Sequence, residues 1–320
     1  MTGHSVPPDG PSIAVVGVGG VGGYLGGRLA AAGHDLQLLA RGENLAALRR
    51  HGLRVTSGDD TWSVPAVRAT DDPREIGEVD MVLLCVKTLQ LPSALDVLGP
   101  MIGAGTAVLT IQNGVEAPEQ VASAIGRNHV LPGVVRVVAI LAGPGEIEHS
   151  GGPAALGFAE WDGSVSARVL RLRESLRAAG VEALEPRDIW ADLWSKFMTI
   201  VPVGSLGAAT GGATIGELRS RPGIRRMLLA GSREIYETGV QLGIALPSDA
   251  VDAAVAVMER QPPDATTSLQ RDILADRPSE LEAWTGAAVR LAGRAGRAAP
   301  VHEMLYELLA TRAARTAASV

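Results

Sequence analysis

Only two of the chain's 29 basic residues are lysine, Lys87 and Lys196. Arginine keeps its proton in a protein, whereas a lysine ammonium is a compact charge with a tunable pKa. Two lysines kept against so strong an arginine bias point to positions that need an ammonium; codon bias with chance survivors is the competing explanation. Lys196 stands in Trp194-Ser195-Lys196-Phe197-Met198, on a helical stretch whose neighbours are nearly all apolar. A lysine there lines a cleft or is buried, and burial lowers its pKa unless an anion is near. Protonated, it can supply the proton that a developing alkoxide takes up when hydride reduces a carbonyl. A snorkelling lysine, stem packed and head in water, fits the same surroundings. Glu280 reads as the anion that keeps the ammonium charged, or as a first-turn acid favoured by a helix dipole. Ser268 is either a helix N-cap or a hydroxyl aimed at a substrate carboxylate. Asn113, on a loop at a strand end, is a turn residue or a donor to ribose and substrate. The histidines have no ligand spacing, so no metal is expected.

Hydride chemistry needs a dinucleotide, and Ser12 to Arg41 reads as its binding site. The apolar run Ile13 to Val16 has the character of a buried parallel strand. It enters Gly17-Val18-Gly19-Gly20-Val21-Gly22, a G-x-G-x-x-G pattern. Gly17 permits the tight turn, Gly19 lets a pyrophosphate approach the backbone, and Gly22 lets the following helix pack closely on its strand. That helix, Tyr24 to Ala32, stops at Gly33, and a second strand runs Asp35 to Leu39. The N–H groups and dipole at the helix start attract phosphate. An NAD site places an acid after the second strand, whereas an NADP site uses arginine for the 2′-phosphate. The chain has Ala40-Arg41-Gly42, which favours NADP, with Glu43 two residues on as the opposing sign.

The rest of the chain must position these residues. Asn44 to His51 is expected as a helix. Leu53 to Val55 and Trp62 to Val67 follow as paired strands around a Ser-Gly-Asp-Asp turn. Val79 to Val86 is a continuous apolar strand with Lys87 at its carboxyl end, where open α/β sheets bind ligands. Thr106 to Ile111 brings Gln112-Asn113-Gly114 to the same edge. A helix over Ala117 to Ile125, strands over Val130 to Leu141, Glu146 to His149 and Ala154 to Phe158, a helix over Ser164 to Ala179 and a strand over Val181 to Leu184 complete the first half. This alternation predicts a doubly wound, Rossmann-like α/β fold. From Asp188 onward the period is helical, over Ile189 to Val201, Arg221 to Leu242, Asp249 to Arg260, Ser268 to Leu274, Ser279 to Ala295 and Val301 to Ala314. Ser279-x-x-Glu282 has capping-box spacing. The expected organisation is therefore a mobile tail over 1–11, an NADP-binding domain over 12–187 and an all-helical substrate and dimerisation domain over 188–320, packed tightly with a cleft between.

The 320 residues carry 46% apolar side chains and a net charge of −6. That is ample for a core without disulfides, and it offers no basic surface for nucleic acid or membrane. The single cysteine, Cys85, lies in an apolar run and fits a reducing, cytoplasmic setting. The first eleven residues lack the apolar core of a signal peptide. Phe197 to Gly216 has the length of a membrane span but is broken by Pro202 and glycines, so a buried helix and loop is expected there.

Taken together, several motifs resemble the ketopantoate reductases (2-dehydropantoate 2-reductases) over nearly the whole chain. They are the glycine turn Gly17 to Gly22, Arg41, Cys85-Val-Lys87-Thr-Leu-Gln90, Gln112-Asn113-Gly114-Val115-Glu116, Trp194-x-Lys196, and the run from Ser268 to Glu282. The resemblance implies NADPH-dependent reduction of a 2-oxo acid to the 2-hydroxy acid in pantothenate biosynthesis. It implies Lys196 as proton donor and Asn113 at the nicotinamide ribose and substrate. It places the Ala139 backbone near the nicotinamide, Glu280 at the cofactor's ribose region, Ser268 at the substrate, and Lys87 and Arg41 at the adenosine phosphates. A homodimer is compatible with a large helical second domain.

The chain departs from the family four and eight residues after the lysine, where Ile200 and Gly204 replace the usual asparagines. Those positions share one helix face with Lys196. The loss of two amides points to a substrate larger or more apolar than ketopantoate, with Ser205 as the nearest polar substitute. A sensor that kept the NADP(H) site and lost turnover is the alternative from another class. The two-domain plan is also shared with 3-hydroxyacid dehydrogenase-like proteins.

Overall fold

The computed structural model describes residues 10–150 and 154–318. The tail expected over 1–11 thus lies outside the described residues, apart from Gly10 and Pro11. The strands are β1 (Ile13–Val16), β2 (Leu36–Leu39), β3 (Leu53–Ser57), β4 (Asp60–Val64), β5 (Arg68–Thr70), β6 (Val79–Leu84), β7 (Ile102–Thr110), β8 (Val130–Arg136), β9 (Ala139–Gly143), β10 (Glu146–His149), β11 (Ala155–Phe158) and β12 (Glu182–Leu184). The helices among them are α1 (Gly20–Ala31), α2 (Gly42–His51), α3 (Pro73–Ile76), α4 (Leu91–Leu95), α5 (Ala117–Ile125) and α6 (Ala167–Ala178). Then come α7 (Ile189–Ala209), α8 (Ile215–Ser220), α9 (Pro222–Gln241), α10 (Ala250–Arg260), α11 (Ser268–Leu274), a π-turn (Glu282–Gly286), α12 (Ala287–Arg294) and α13 (Pro300–Ala318). The chain forms two compact units. One takes in the residues up to Gln112 together with Ala117–Ile189; the other is made of Asn113–Glu116 and the chain from Trp190 onward.

The first unit is the expected α/β fold. Eight strands run in the order β12-β11-β8-β7-β6-β1-β2-β5, with β1 parallel to both β2 and β6. Every residue of β1 is buried because both sheet faces are covered. Ile13 and Val15 enter one core with Leu25 and Leu29 of α1, and Ala14 and Val16 enter the other with Val121 of α5. This is the strand's two-residue alternation used on both sides. From β1 the strand order runs to one edge through β2 and β5 and to the other through β6 and β7. It therefore reverses between β1 and β6, the kind of point at whose carboxyl ends open α/β sheets bind ligands.

A second sheet, β4-β3-β10-β9, departs from the simple doubly wound expectation. The run expected as one strand over Val130 to Leu141 is divided. β8 stays in the large sheet, and after Val137 and Val138 the chain continues as β9, antiparallel to β10. Apolar content alone does not say which sheet a strand joins. The small sheet packs against α1, where Gly23 and Gly27 leave room for Ile147 and Val55.

Helices make up the second unit, apart from the short segment Asn113–Glu116. Val203 and Leu206 of α7 pack there with Ile215, Leu218, Leu228, Met258 and Leu305. The break expected at Pro202 does not occur: α7 runs on to Ala209. Proline at 202 removes the N–H that would bond Met198 four residues back. The buried Ser232 hydroxyl of α9 donates to that carbonyl instead, at 3.1 Å. No helix among the described residues is long and apolar enough to cross a membrane. The Ser279–Glu282 capping box is also absent. The helix opens as the π-turn at Glu282, and Glu282 turns its carboxylate to Tyr306 and Arg290.

Candidate active site

In the α/β unit, β1 delivers the chain into Gly17, whose φ of +96° suits glycine. A Cβ there would stand 2.7 Å from the Val86 backbone nitrogen. Gly22 allows equally close packing, since a Cβ on it would fall 2.1 Å from the Gly17 carbonyl oxygen. At Gly20 the obstacle is the Ala139 carbonyl of β9, also 2.1 Å away. Gly19 differs from its neighbours. It is the N-cap of α1, and a Cβ there would meet nothing within 4 Å. It leaves the first-turn N–H groups without a capping side chain, and the first turn holds no acid. An open glycine at a helix N-terminus fits a phosphate, so the turn suits a dinucleotide's pyrophosphate. Val21, half-buried, continues the same turn.

Three further residues stand at strand ends. Arg41 is exposed at the N-cap of α2, directly after β2, with Glu43 exposed in the first turn. Lys87 is exposed after β6, its backbone N–H donating to Gln90 Oε1 at 3.3 Å. Gln112, buried at the end of β7, donates through Nε2 to the carbonyls of Leu84 at 2.7 Å and Val86 at 3.1 Å. It thereby ties the carboxyl ends of two neighbouring strands together. Asn44 is a residue that sequence reasoning missed. Its Nδ2 donates to the Val18 carbonyl inside the glycine turn at 2.9 Å, and its Oδ1 accepts from Gly145 N–H at 2.8 Å.

In the helical unit, Lys196 is half-buried on α7 and its Nζ donates to Asn113 Oδ1 at 2.9 Å. Asn113 in turn donates through Nδ2 to Glu280 Oε2 at 3.3 Å. One amide therefore links the ammonium to a carboxylate that is only 6% exposed. Glu280 precedes the π-turn, its carbonyl accepting from Ala283 at 3.1 Å and Trp284 at 3.0 Å. The Gly286 N–H reaches five residues back to Leu281 at 3.0 Å. Such turns recur at functional sites because they re-aim the side chains around them.

The neighbouring residues refine three expectations. Thr267, not Ser268, caps α11, accepting from the Gln270 N–H at 3.2 Å. Ser268 is the half-buried first residue of that helix. Ser205 makes no polar substitute for the missing amides: it is fully buried and hydrogen-bonds Thr285 at 2.7 Å. Gly204 has no room for a side chain, since a Cβ would lie 2.9 Å from Thr267 Oγ1 and 3.0 Å from the Trp284 ring.

Comparison with known proteins agrees in fold and length. The family model of ketopantoate reductase PanE/ApbA matches residues 13–163, and its C-terminal counterpart matches 188–313. A 2-dehydropantoate 2-reductase of Mesorhizobium japonicum is 30% identical, covering 93% of this chain and 96% of its own. The crystal structure of a PanE/ApbA family ketopantoate reductase from Ralstonia eutropha is 28% identical with a TM-score of 0.87, over 95% of this chain and 99% of that one. A D-mandelate dehydrogenase solved with NADH and anilino(oxo)acetate, 19% identical, shares the fold at a TM-score of 0.87 over 95% of this chain and 99% of that one.

Proposed function

The chain belongs to the ketopantoate reductase family, and from that premise we propose that it reduces a 2-oxo acid to the 2-hydroxy acid with hydride from NADPH and a proton from Lys196. The observation that carries this reading is the hydrogen-bonded series Lys196–Asn113–Glu280. When bound, the reduced nicotinamide supplies hydride to the carbonyl carbon. Lys196 holds at Nζ the proton that the carbonyl oxygen takes as charge develops on it. Asn113 aims that ammonium through its amide oxygen, and the Glu280 carboxylate fixes the other end of the amide. A cofactor-binding regulator needs the glycine turn alone and has no use for this series.

The cofactor's pyrophosphate would lie on Gly17, Gly19, Gly20, Val21 and Gly22, with Ala139 beside the nicotinamide. Arg41 and Lys87 would take the adenosine phosphates, and Arg41 favours NADPH because its guanidinium can grip a 2′-phosphate in bidentate fashion. Ser268 would meet the substrate.

The face of α7 that presents Lys196 continues with Ile200 and Gly204, which offer the substrate no amide. Placing asparagine at 204 would displace the Thr267 cap or the Trp284 ring. The absence of amides supports a 2-oxo acid larger or more apolar than ketopantoate, and the packing at Gly204 favours the more apolar one. The test follows NADPH oxidation with ketopantoate and a panel of bulkier apolar 2-oxo acids, with NADH as the control. For Lys196→Ala, kcat is expected to fall about 10²- to 10⁴-fold, with NADPH affinity little changed. Absence of lysine-dependent turnover on every acid, with NADPH still bound, would overturn the assignment. Best turnover on ketopantoate itself would overturn only the substrate preference.

A further inference from the structure

Asn113 can mediate between Lys196 and Glu280 only while its loop is held in place. Three features of the helical unit hold it. First, Gly114 has a φ of +94°, and a Cβ on it would lie 2.8 Å from the Ala283 carbonyl. The loop backbone therefore rests directly on the π-turn. Second, Glu116, at the far end of the segment, accepts from Arg290 Nη2 at 2.8 Å. Third, the same guanidinium grips the π-turn itself, with Nη2 donating to the Glu282 carbonyl at 2.9 Å and Nη1 to Glu282 Oε2 at 3.3 Å.

The grip is built around a second anchor. The Tyr306 hydroxyl donates to Glu282 Oε1 at 2.6 Å, so both carboxylate oxygens of Glu282 are engaged. Bonding to that carboxylate raises the pKa of the Tyr306 phenol, which keeps its proton in place as a donor. Gly286 leaves the space this cluster needs: a Cβ there would come within 2.9 Å of Glu282 Oε2, 3.0 Å of Arg290 Nη1 and 3.1 Å of the Tyr306 ring. Arginine suits the position because its rigid fork reaches two elements at once, which a lysine point charge does less well.

We propose that Arg290 is a positioning residue for the reduction: it clamps Glu116 to the π-turn and so holds Asn113 between Lys196 and Glu280. This rests on the proposed function for its catalytic consequence, although the clamp can be tested without turnover. The Arg290 side chain is 46% exposed and Glu116 22%, so the pair is too solvated to carry much of the fold's stability. Its removal should therefore register at the loop and in kcat.

The experiment compares Arg290→Gln, Arg290→Lys and Glu116→Gln, each alone and in an Asn113→Ala background, with Lys196→Ala alongside. Arg290→Gln should lower kcat about tenfold with little change in melting temperature, as expected for lost alignment rather than lost folding. It should speed amide hydrogen exchange across residues 113–116. Glu116→Gln should behave like it, and Arg290→Lys should recover part of the loss. In the Asn113→Ala background, Arg290→Gln should cost almost nothing more, because the residue it positions is gone. Full additivity in that background, or unchanged exchange at 113–116, would overturn the proposal. Failure of the enzyme reading is seen separately, as indifference of turnover to Lys196→Ala while Arg290→Gln still loosens the loop.

Discussion

On the proposed function, a single guanidinium at the tip of β2, that of Arg41, separates the two dinucleotides. A charge-assisted contact to the 2′-phosphate contributes about 1.5–3 kcal/mol, or roughly a 10- to 150-fold change in affinity. Arg41→Ala should raise the KM for NADPH by about that factor and leave NADH nearly unaffected. Steady-state kinetics with both cofactors decides it; an equal loss for both would remove Arg41 from the 2′-phosphate site. The place of Arg41 directly after β2 was legible, because the motif itself fixes it. Lys196 stood out as a candidate because lysine is rare in this chain. Glu280 was legible as one of two readings, the anion beside that ammonium; that Asn113 mediates between them was not, because Asn113 and Glu280 stand 167 positions apart and only folding joins them. Asn44 was invisible for a different reason. A polar residue in a helix's first turn usually faces water, and nothing in its spacing tells that its amide reaches Val18 and Gly145.

Among the elements, α7 shows how a local rule is overridden by a distant partner. Proline normally ends a helix because it leaves a carbonyl unbonded four residues earlier. Here Ser232, 34 positions later in sequence, supplies the missing donor to Met198. The helix therefore continues past Pro202, and Gly204 and Ser205 remain on it. Ser232→Ala should destabilise the chain by about 1–3 kcal/mol, because it leaves a buried acceptor unsatisfied. The cost should shrink in a Pro202→Ala background, where residue 202 regains its own N–H for Met198. Denaturant titration of the four proteins measures this coupling. An equal cost in both backgrounds would mean that Ser232 acts by packing alone. The pairing of β3 with β4 was legible, but its extension by β10 and β9 into a second sheet was not, for a comparable reason. The strands were visible as apolar runs, but the exchange of β9 from one sheet to the other depends on pairing with β10, which no local pattern encodes.

At the scale of the whole molecule, two histidines of the α/β unit should give stability a pH dependence above the carboxylate range. His149 packs its ring on Tyr24 with centroids 4.4 Å apart and bonds Ser57 through Nδ1 at 2.8 Å, while Nε2 is buried without a hydrogen-bond partner. Burial lowers its pKa, and the nearby Arg28 charge adds to the effect. Burial also lowers His34, against a smaller opposing pull from the Ser175 backbone. Both rings therefore favour the neutral form in the fold, and the unfolded chain binds more protons. Stability linked to them is fully present above the unfolded value of 6.5 and is lost as pH falls from there through the lower folded pKa values. Carboxylates titrate later; Asp72, for example, is held at about 2 by hydrogen bonds from Arg74. The melting temperature should thus fall by a few degrees between about pH 7.5 and 5.5, a window above the ordinary carboxylate range. His34→Gln and His149→Gln should each flatten the slope, and together they should flatten it further than either alone. An unaltered slope in the double variant would assign the dependence to other groups.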